Sequence, residues 1–253
     1  MPHDDSMTVT IRYLGHSAWL VESQRRAWLF DYGRVPVRGT ADAGAFAFAG
    51  YTRRPLDIFF SHLHGDHCHP DLALEAAGRE GVSVYLGLDM PPDDSLPAWT
   101  RNVRLVLPRS CQEVSDQTLL ASGSTDQGVA WLVATDDLLL YHGGDLALWD
   151  DLDMFRQPYS QEVAWLAEQT RALGRVPDIA FIPVSTSDGY QEEALLEGID
   201  LLIRKIRPHR VFPMHAWGYE PLYERFAGWM AQNHPETVVC LPGPAGHSQT
   251  IRI

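Results

Sequence analysis

The sequence predicts an α/β protein built as a four-layer αβ/βα sandwich, two sheets packed face to face with helices on the outer faces. Three observations carry that expectation. Short apolar runs bounded by turn residues dominate the first two thirds of the chain. The last third changes period, to a helical pattern followed by a short apolar run, twice over. The runs also end repeatedly on loops that bear histidine or aspartate, as expected when strand ends from two packed sheets meet at one edge.

Taken in order, Val9–Leu14, Ala18–Val21 and Ala27–Phe30 are short apolar runs around a Gly-His-Ser turn, which reads as an antiparallel meander. A Gly/Ala-rich loop, Gly39 to Gly50, separates them from the strand Leu56–Phe60, which delivers the chain into a histidine cluster. Proline and aspartate open Pro70–Gly78 and glycine closes it, the signature of a helix. Val82–Leu86, Val103–Leu107, Gln117–Ala121, Val129–Ala134 and Leu138–His142 are further strands, and this middle third is expected to form the second sheet. Gln161–Leu173 and Gln191–Ile206 have helical spacing and lead into the apolar runs Ile179–Val184 and Val211–Met214. No linker or repeat divides the chain, so residues 1–253 are expected to form a single domain.

The chain has 253 residues, 45% of them hydrophobic, enough to bury a large core. Its 33 acidic residues outnumber 20 basic ones, for a net charge of −13. A polyanion meets a repulsive field, so no nucleic-acid partner is expected. The densest basic stretch, Arg204, Lys205, Arg207 and Arg210 with His209, lies at the end of a predicted helix, where cations answer the helix dipole. Met1 to Thr10 has no apolar core of a signal peptide, and no apolar run approaches a membrane span. Three widely spaced cysteines, Cys68, Cys111 and Cys240, suit a reducing compartment; the expectation is a cytoplasmic protein with no membrane partner.

The chemistry concentrates in Ser61-His62-Leu63-His64-Gly65-Asp66-His67, where four donors leave an apolar strand within six residues. His62 and His64 occupy alternate positions and point to the same side of extended chain, and Gly65 permits a turn that brings Asp66 and His67 around. Two imidazoles then hold one ion, while Asp66 and His67 face a second. Neutral imidazole at about 2.0–2.1 Å and carboxylate oxygen at a similar distance suit zinc, and manganese or iron accept the same donors.

His-x-His-x-Asp-His is the signature of the metallo-β-lactamase fold, and the chain resembles that family along nearly its whole length. Tyr13–Val21 and Trp28–Tyr32 look like the opening strands of the branch that contains ascorbate-6-phosphate lactonase. Leu140-Tyr-His-Gly-Gly-Asp145 is similar to the family's strand ending in Gly-Asp, and Val211-Phe-Pro-Met-His215 to its last histidine-bearing strand. The resemblance implies a metal-dependent hydrolase in which Asp145 bridges two ions or ligates the second and His215 completes the second site. Each of these residues lies just beyond an apolar strand, where a carboxylate or imidazole projects into a cleft.

One part of the pattern departs from the family, whose members usually supply a further histidine between the first motif and the Gly-Asp strand. No histidine occurs between His69 and His142, and the corresponding stretch reads Ala121-Ser-Gly-Ser-Thr-Asp-Gln-Gly128. Three outcomes are open: Asp126 or Ser124 substitutes as an oxygen ligand, His142 serves from the neighbouring strand, or one ion alone is held tightly. His16, in the Gly-His-Ser turn, matches a position that the lactonase-like branch also fills with histidine.

The expected reaction is hydrolysis of a small soluble ester, lactone or phosphate ester by water ionised on a divalent metal, with two zinc ions the leading cofactor and manganese or iron the alternatives. Asp66 orients that water and passes on a proton, and His142 or His16 stabilises developing negative charge. The alternatives are a phosphodiesterase or nuclease of the same fold, and a one-metal iron oxygenase or non-catalytic metal-binding protein. Trp149 and Trp217 are placed as cleft walls, Trp19, Trp28 and Trp131 as core, Cys68 and His69 as lining, and His3, His209, His234 and His247 at the surface. Aromatic surface near Trp217 and Trp229 is compatible with a homodimer.

Overall fold

The computed structural model describes residues 7–33, 46–51, 54–93, 95–185, 192–219 and 221–253. His3, Gln191 and most of the Gly39–Gly50 loop lie outside them. The chain opens with the expected meander, strands β1 (Thr8–Gly15), β2 (Ala18–Glu22) and β3 (Ala27–Phe30), paired antiparallel. Strand β4 (Leu56–Phe60) then runs parallel to β3. Helix α1 (Pro70–Ala76) leads to β5 (Val82–Gly87), and β6 (Arg104–Val106) completes the parallel half of the same sheet.

The second sheet repeats this plan. Strands β7 (Ser110–Val114), β8 (Gln117–Gly123), β9 (Val129–Ala134) and β10 (Leu139–His142) form its antiparallel half. Helix α2 (Asp153–Leu173), strand β11 (Ile179–Pro183), helix α3 (Glu192–Ile206), strand β12 (Arg210–Met214), helix α4 (Pro221–Asn233) and strand β13 (Val238–Val239) follow, and β10 to β13 pair in parallel. Strand β14 (Ser248–Arg252) returns to the first sheet, antiparallel to β1. Among the described residues the two sheets have seven strands each, in the orders β14-β1-β2-β3-β4-β5-β6 and β13-β12-β11-β10-β9-β8-β7.

The division between sheets differs from the expectation. Val82–Leu86 and the 103–107 run belong to the first sheet, because the crossover through α1 lays β5 beside β4 in parallel. The second sheet starts only at Ser110. Strand β7 escapes a hydrophobicity reading because it is a half-exposed edge strand, and β13 because it has two residues.

Side-chain alternation builds the layers. In β3, Trp28 and Phe30 face the second sheet while Ala27 and Leu29 face outward; in β9, Val129, Trp131 and Val133 face the first sheet while Ala130 and Leu132 face the helices. The inter-sheet layer is rich in aromatics, including Trp19, Trp28, Phe59, Tyr85, Trp131, Phe181 and Phe212. A second apolar layer joins the outer face of the second sheet to α2, α3 and α4, and a third joins the first sheet to α1 and the 46–51 segment. Helix α3 buries Leu195, Ile199, Leu202 and Ile206 on one face, with Glu192 and Glu193 in its first turn and Arg204 and Lys205 in its last, so the basic stretch does sit at a helix C-terminus.

At the edge remote from the histidine motif, buried Arg26 pairs with Asp57 of β4 and with Asp116. Gln117 Nε2 donates to the same Asp57 (2.9 Å) and its Oε1 accepts from Trp28 Nε1 (3.1 Å), tying the sheets together. His209 and His247 are exposed, whereas His234 is not at the surface: the chain turns back after α4 and buries it 3.0 Å from Asp200 of α3. None of the described helices is long and apolar enough to cross a membrane.

Candidate metal centre

The C-terminal ends of β3, β4, β10 and β12 open on one edge of the sandwich, where the hairpin turns β1–β2 and β8–β9 also arrive. Strand C-termini are where α/β sheets place their ligands. Backbone strain gathers there: His16 (φ +52°), Asp31 (+43°), His215 (+71°) and Trp217 (+53°) all take the left-handed conformation that residues other than glycine rarely adopt.

Among the described residues, two donor groups form at this edge, each with ligand atoms within 4.8 Å of one another: His62, His64, Asp126 and Asp145, and His16, Asp66, His67 and His215. In the first, His62 Nε2 and His64 Nδ1 are 3.0 Å apart, His64 Nδ1 is 3.7 Å from Asp126 Oδ2, and His62 Nε2 is 3.6 Å from Asp145 Oδ2. In the second, Asp66 Oδ2 lies 3.1 Å from His16 Nε2, 3.3 Å from His67 Nε2 and 3.9 Å from His215 Nε2. Asp145, a member of the first group, also approaches the second, with its Oδ1 3.2 Å from His67 Nε2 and 3.2 Å from His215 Nε2.

Asp31 and Ser61 orient these donors. Asp31, fully buried, accepts the Ser61 N–H on Oδ1 (2.7 Å) and both the Ser61 O–H (2.7 Å) and the His67 Nδ1–H (2.8 Å) on Oδ2. Ser61 Oγ in turn accepts from His62 Nδ1 (2.9 Å). One carboxylate thereby fixes the tautomer of two histidines and leaves their Nε2 lone pairs facing the site, the usual support of a metal-binding imidazole. Neither residue was singled out in the sequence; the available signal was an aspartate closing the apolar run Trp28–Phe30.

The loop that carries Asp126 is pinned along its length. Glu162 of α2 accepts the Gly123 N–H (2.8 Å), Thr125 Oγ1 donates to the Ala147 carbonyl (2.6 Å), and the Gly128 N–H donates to Asp89. Gly128, at φ +69°, passes so close to the first motif that a Cβ there would fall 1.9 Å from the Ser61 carbonyl oxygen. Gly33 makes a like approach to Asp66, where a Cβ would stand 2.1 Å from its carbonyl oxygen. The turn of the motif itself is closed by the His64 carbonyl, which accepts from the His67 and Cys68 N–H groups, and Gly65 needs no positive φ.

Electrostatics are consistent with a site built for cations. Burial, with the charge of His67 adding to it, lowers the His62 pKa to about 3, which keeps its lone pair free at neutral pH. Burial raises Asp145 to about 7 even against the pull of His67. His67 is pushed well above the ordinary histidine range: burial opposes this, but Asp145, Asp31 and Asp66 outweigh it. Among the described residues, the buried His67 Nε2 and the buried Asp145 Oδ1 have no hydrogen-bond partner, as expected of atoms that belong to a metal. The nitrogen and oxygen donors fit divalent zinc, manganese or iron.

Of the residues singled out from the sequence, His62, His64, Asp66, His67, Asp145 and His215 converge at this edge, and His16 joins them. At the position of the absent histidine the structure brings Asp126 to His64; Ser124 instead accepts the Asp126 N–H (3.3 Å). His142 is in neither group. It lies beneath them, fully buried and stacked on Phe30, with Nε2 donating to the Ser17 carbonyl (3.0 Å) and Nδ1 accepting from Gly144 N–H (3.2 Å). His69 caps α1 and stacks on Tyr32, and Cys68 is buried with its thiol pushed up to about 12 by desolvation. Trp217, 41% exposed, packs on His16, while buried Trp149 donates to the Asp145 carbonyl (3.1 Å).

No family model matches the chain. It is 27% identical over 222 residues to a curated UPF0173 metal-dependent hydrolase of Opitutus terrae, covering 81% of this chain and 83% of that protein. Among solved structures it superposes on Igni18, a metallo hydrolase of Ignicoccus hospitalis, with a TM-score of 0.66 at 18% identity, covering 97% and 99% of the two chains. YhfI of Bacillus subtilis, a metallo-β-lactamase fold protein, superposes with a TM-score of 0.61 at 13% identity, covering 98% and 100%. The chain has the metallo-β-lactamase fold. In this metallo-β-lactamase fold the two mixed sheets with flanking helices carry His/Asp donor groups at the open strand ends, and the homologues are metal-dependent hydrolases.

Proposed function

We propose that this protein is a hydrolase that binds two divalent ions, one between His62, His64, Asp126 and Asp145 and the other between His16, Asp66, His67, His215 and Asp145, and that it cleaves a small ester, lactone or phosphate ester. The observation that carries this reading is the shared carboxylate: Asp145 reaches both donor groups, and its Oδ1 is buried without a hydrogen-bond partner. A bound divalent ion supplies a water with a pKa near about 7 and polarises the oxygen of the scissile bond.

The chain's own residues do the rest. Asp31 holds the proton of His67 on Nδ1 and, through Ser61, that of His62, so that each ring turns Nε2 toward the site. Asp66, 3.1 Å from His16 Nε2, is placed to take a proton and hand it toward the leaving group. His142 serves as a strut: both of its nitrogens are engaged by backbone, which ties β10 to the β1–β2 turn. Trp217 offers an exposed apolar wall over His16 for the substrate's organic portion. The net charge of −13 disfavours nucleic acid as substrate, and resemblance of the first strands to the lactonase-like branch keeps a lactone among the esters to be tried.

A second reading is favoured by one observation. His62, His64 and Asp126 make two histidines and a carboxylate, the donor set of non-haem iron oxygenases. The test is elemental analysis of protein loaded with Zn²⁺, Mn²⁺ or Fe²⁺, wild type against His62→Ala, beside hydrolysis of a panel of p-nitrophenyl esters, lactones and phosphate esters. The hydrolase reading expects two ions per chain, fewer in the variant, and loss of hydrolysis with the ions. Full hydrolysis by metal-free protein overturns it, and turnover only with iron and oxygen selects the second reading.

A further inference from the structure

The two donor groups are built to different standards. In the inner group the side chains of His16, Asp66, His67 and His215 are 4%, 13%, 0% and 6% exposed, and Asp145 Oδ1 adds a fifth donor. In the outer group His64 and Asp126 are 44% and 47% exposed.

Their supports differ as well. His67 is held from behind by Asp31 directly, whereas His62 of the outer group is reached by Asp31 only through Ser61. The His16 ring lies 4.2 Å from that of His215 and 4.5 Å from that of Trp217, and the His16 carbonyl accepts the His215 N–H (3.2 Å), so donors from the two sheets brace each other. Both sit on positive-φ backbone that the surroundings enforce. A rigid, dry set of donors loses little entropy on closing around an ion, whereas exposed side chains must be ordered to bind and are replaced by water when the ion leaves.

We infer that the two positions fill unequally: the inner one, with His16 as a ligand, retains its ion, while the outer one exchanges with solvent. This deepens the dinuclear reading above and rests on it. The inequality follows from His16, which enlarges the inner set, and from Asp126, which completes the outer set from an exposed loop.

The test is stepwise dialysis of the Zn²⁺-loaded protein against EDTA, with ions per chain measured by mass spectrometry, and a Co²⁺ titration of metal-free wild type followed by absorption. Loss of zinc is expected to pause at one ion per chain. Asp126→Asn is expected to start at that plateau and keep it. His16→Ala, and the bulkier His16→Gln should the first fold poorly, weaken the retained ion about 10–100-fold and erase the pause, by analogy with loss of the groups that orient metal ligands. In wild type the first equivalent of cobalt is expected to give a spectrum that Asp126→Asn leaves unchanged. Simultaneous loss of both ions, or a plateau that survives in His16→Ala but vanishes in Asp126→Asn, overturns the inference and leaves the dinuclear hydrolase standing. A chain that takes up no zinc, manganese or iron overturns both.

Discussion

Replacing Asp31 by asparagine tests how far one buried carboxylate governs the site. The change keeps the side-chain volume, and asparagine tolerates φ +43° as aspartate does. Asp31 accepts three hydrogen bonds of 2.7–2.8 Å on two oxygens, and asparagine has one. With the amide oxygen toward His67, the new NH₂ opposes the Ser61 N–H. With the amide oxygen toward Ser61 N–H, the NH₂ opposes His67 Nδ1–H, which is relieved only if that proton moves to Nε2, the atom that faces Asp66 and Asp145.

One orientation strands a buried backbone donor, at about 1–3 kcal/mol, and the other removes a metal-facing lone pair; both forfeit charge-assisted bonds worth about 1.5–3 kcal/mol each. The net expectation is about 2–4 kcal/mol of stability lost from the metal-free protein, or about 4–16 °C in Tm. Zinc affinity is expected to fall about 10–100-fold. Thermal unfolding of the metal-free protein and competition with a chelating dye measure the two effects. Asp31→Asn with wild-type zinc affinity and a Tm within about one degree of wild type would refute the relay from Asp31 through Ser61 and His67.

Gly128→Ala places a Cβ 1.9 Å from the Ser61 carbonyl oxygen at φ +69°, so it is expected to cost at least about 2 kcal/mol in urea unfolding and to loosen zinc by shifting His62. Asp57→Ala leaves Arg26 buried with Asp116 as its remaining acidic partner and is expected to cost about 3 kcal/mol, the low end for a broken buried pair; Arg26→Met with Asp57→Leu is expected to recover most of it, and a double variant no more stable than Asp57→Ala speaks against the assigned cause. Trp217→Ala is expected to leave two ions per chain and raise KM about 3–10-fold for substrates with an apolar group, with kcat little changed, as fits the loss of one aromatic contact. An equal fall in kcat would move Trp217 from the substrate wall to the reacting centre.

By itself the sequence determined what is local. The 62–67 motif places four donors on one strand exit regardless of the rest of the fold, and the strands that lead to Asp145 and His215 are legible as uninterrupted apolar runs, because a strand buried on both faces admits little else. Helix α3 and the 161–173 part of α2 are legible because a surface helix must repeat its apolar face every turn, whereas the first eight residues of α2, 153–160, are not read as helix from the sequence.

Only the tertiary structure decided which distant groups meet. Asp31 lies 36 residues from His67, and His16 50 residues from Asp66; a contact across such separations depends on strand order and backbone φ, and neither leaves a mark on hydrophobic periodicity. The same reason explains why Asp126, with the composition of an ordinary turn, joins the donor group of His62 and His64, while His142, three residues before Asp145, lies below it: the β8–β9 hairpin is pinned over the cleft by Glu162, Thr125 and Asp89, and His142 still belongs to a strand whose inward side chains face the other sheet.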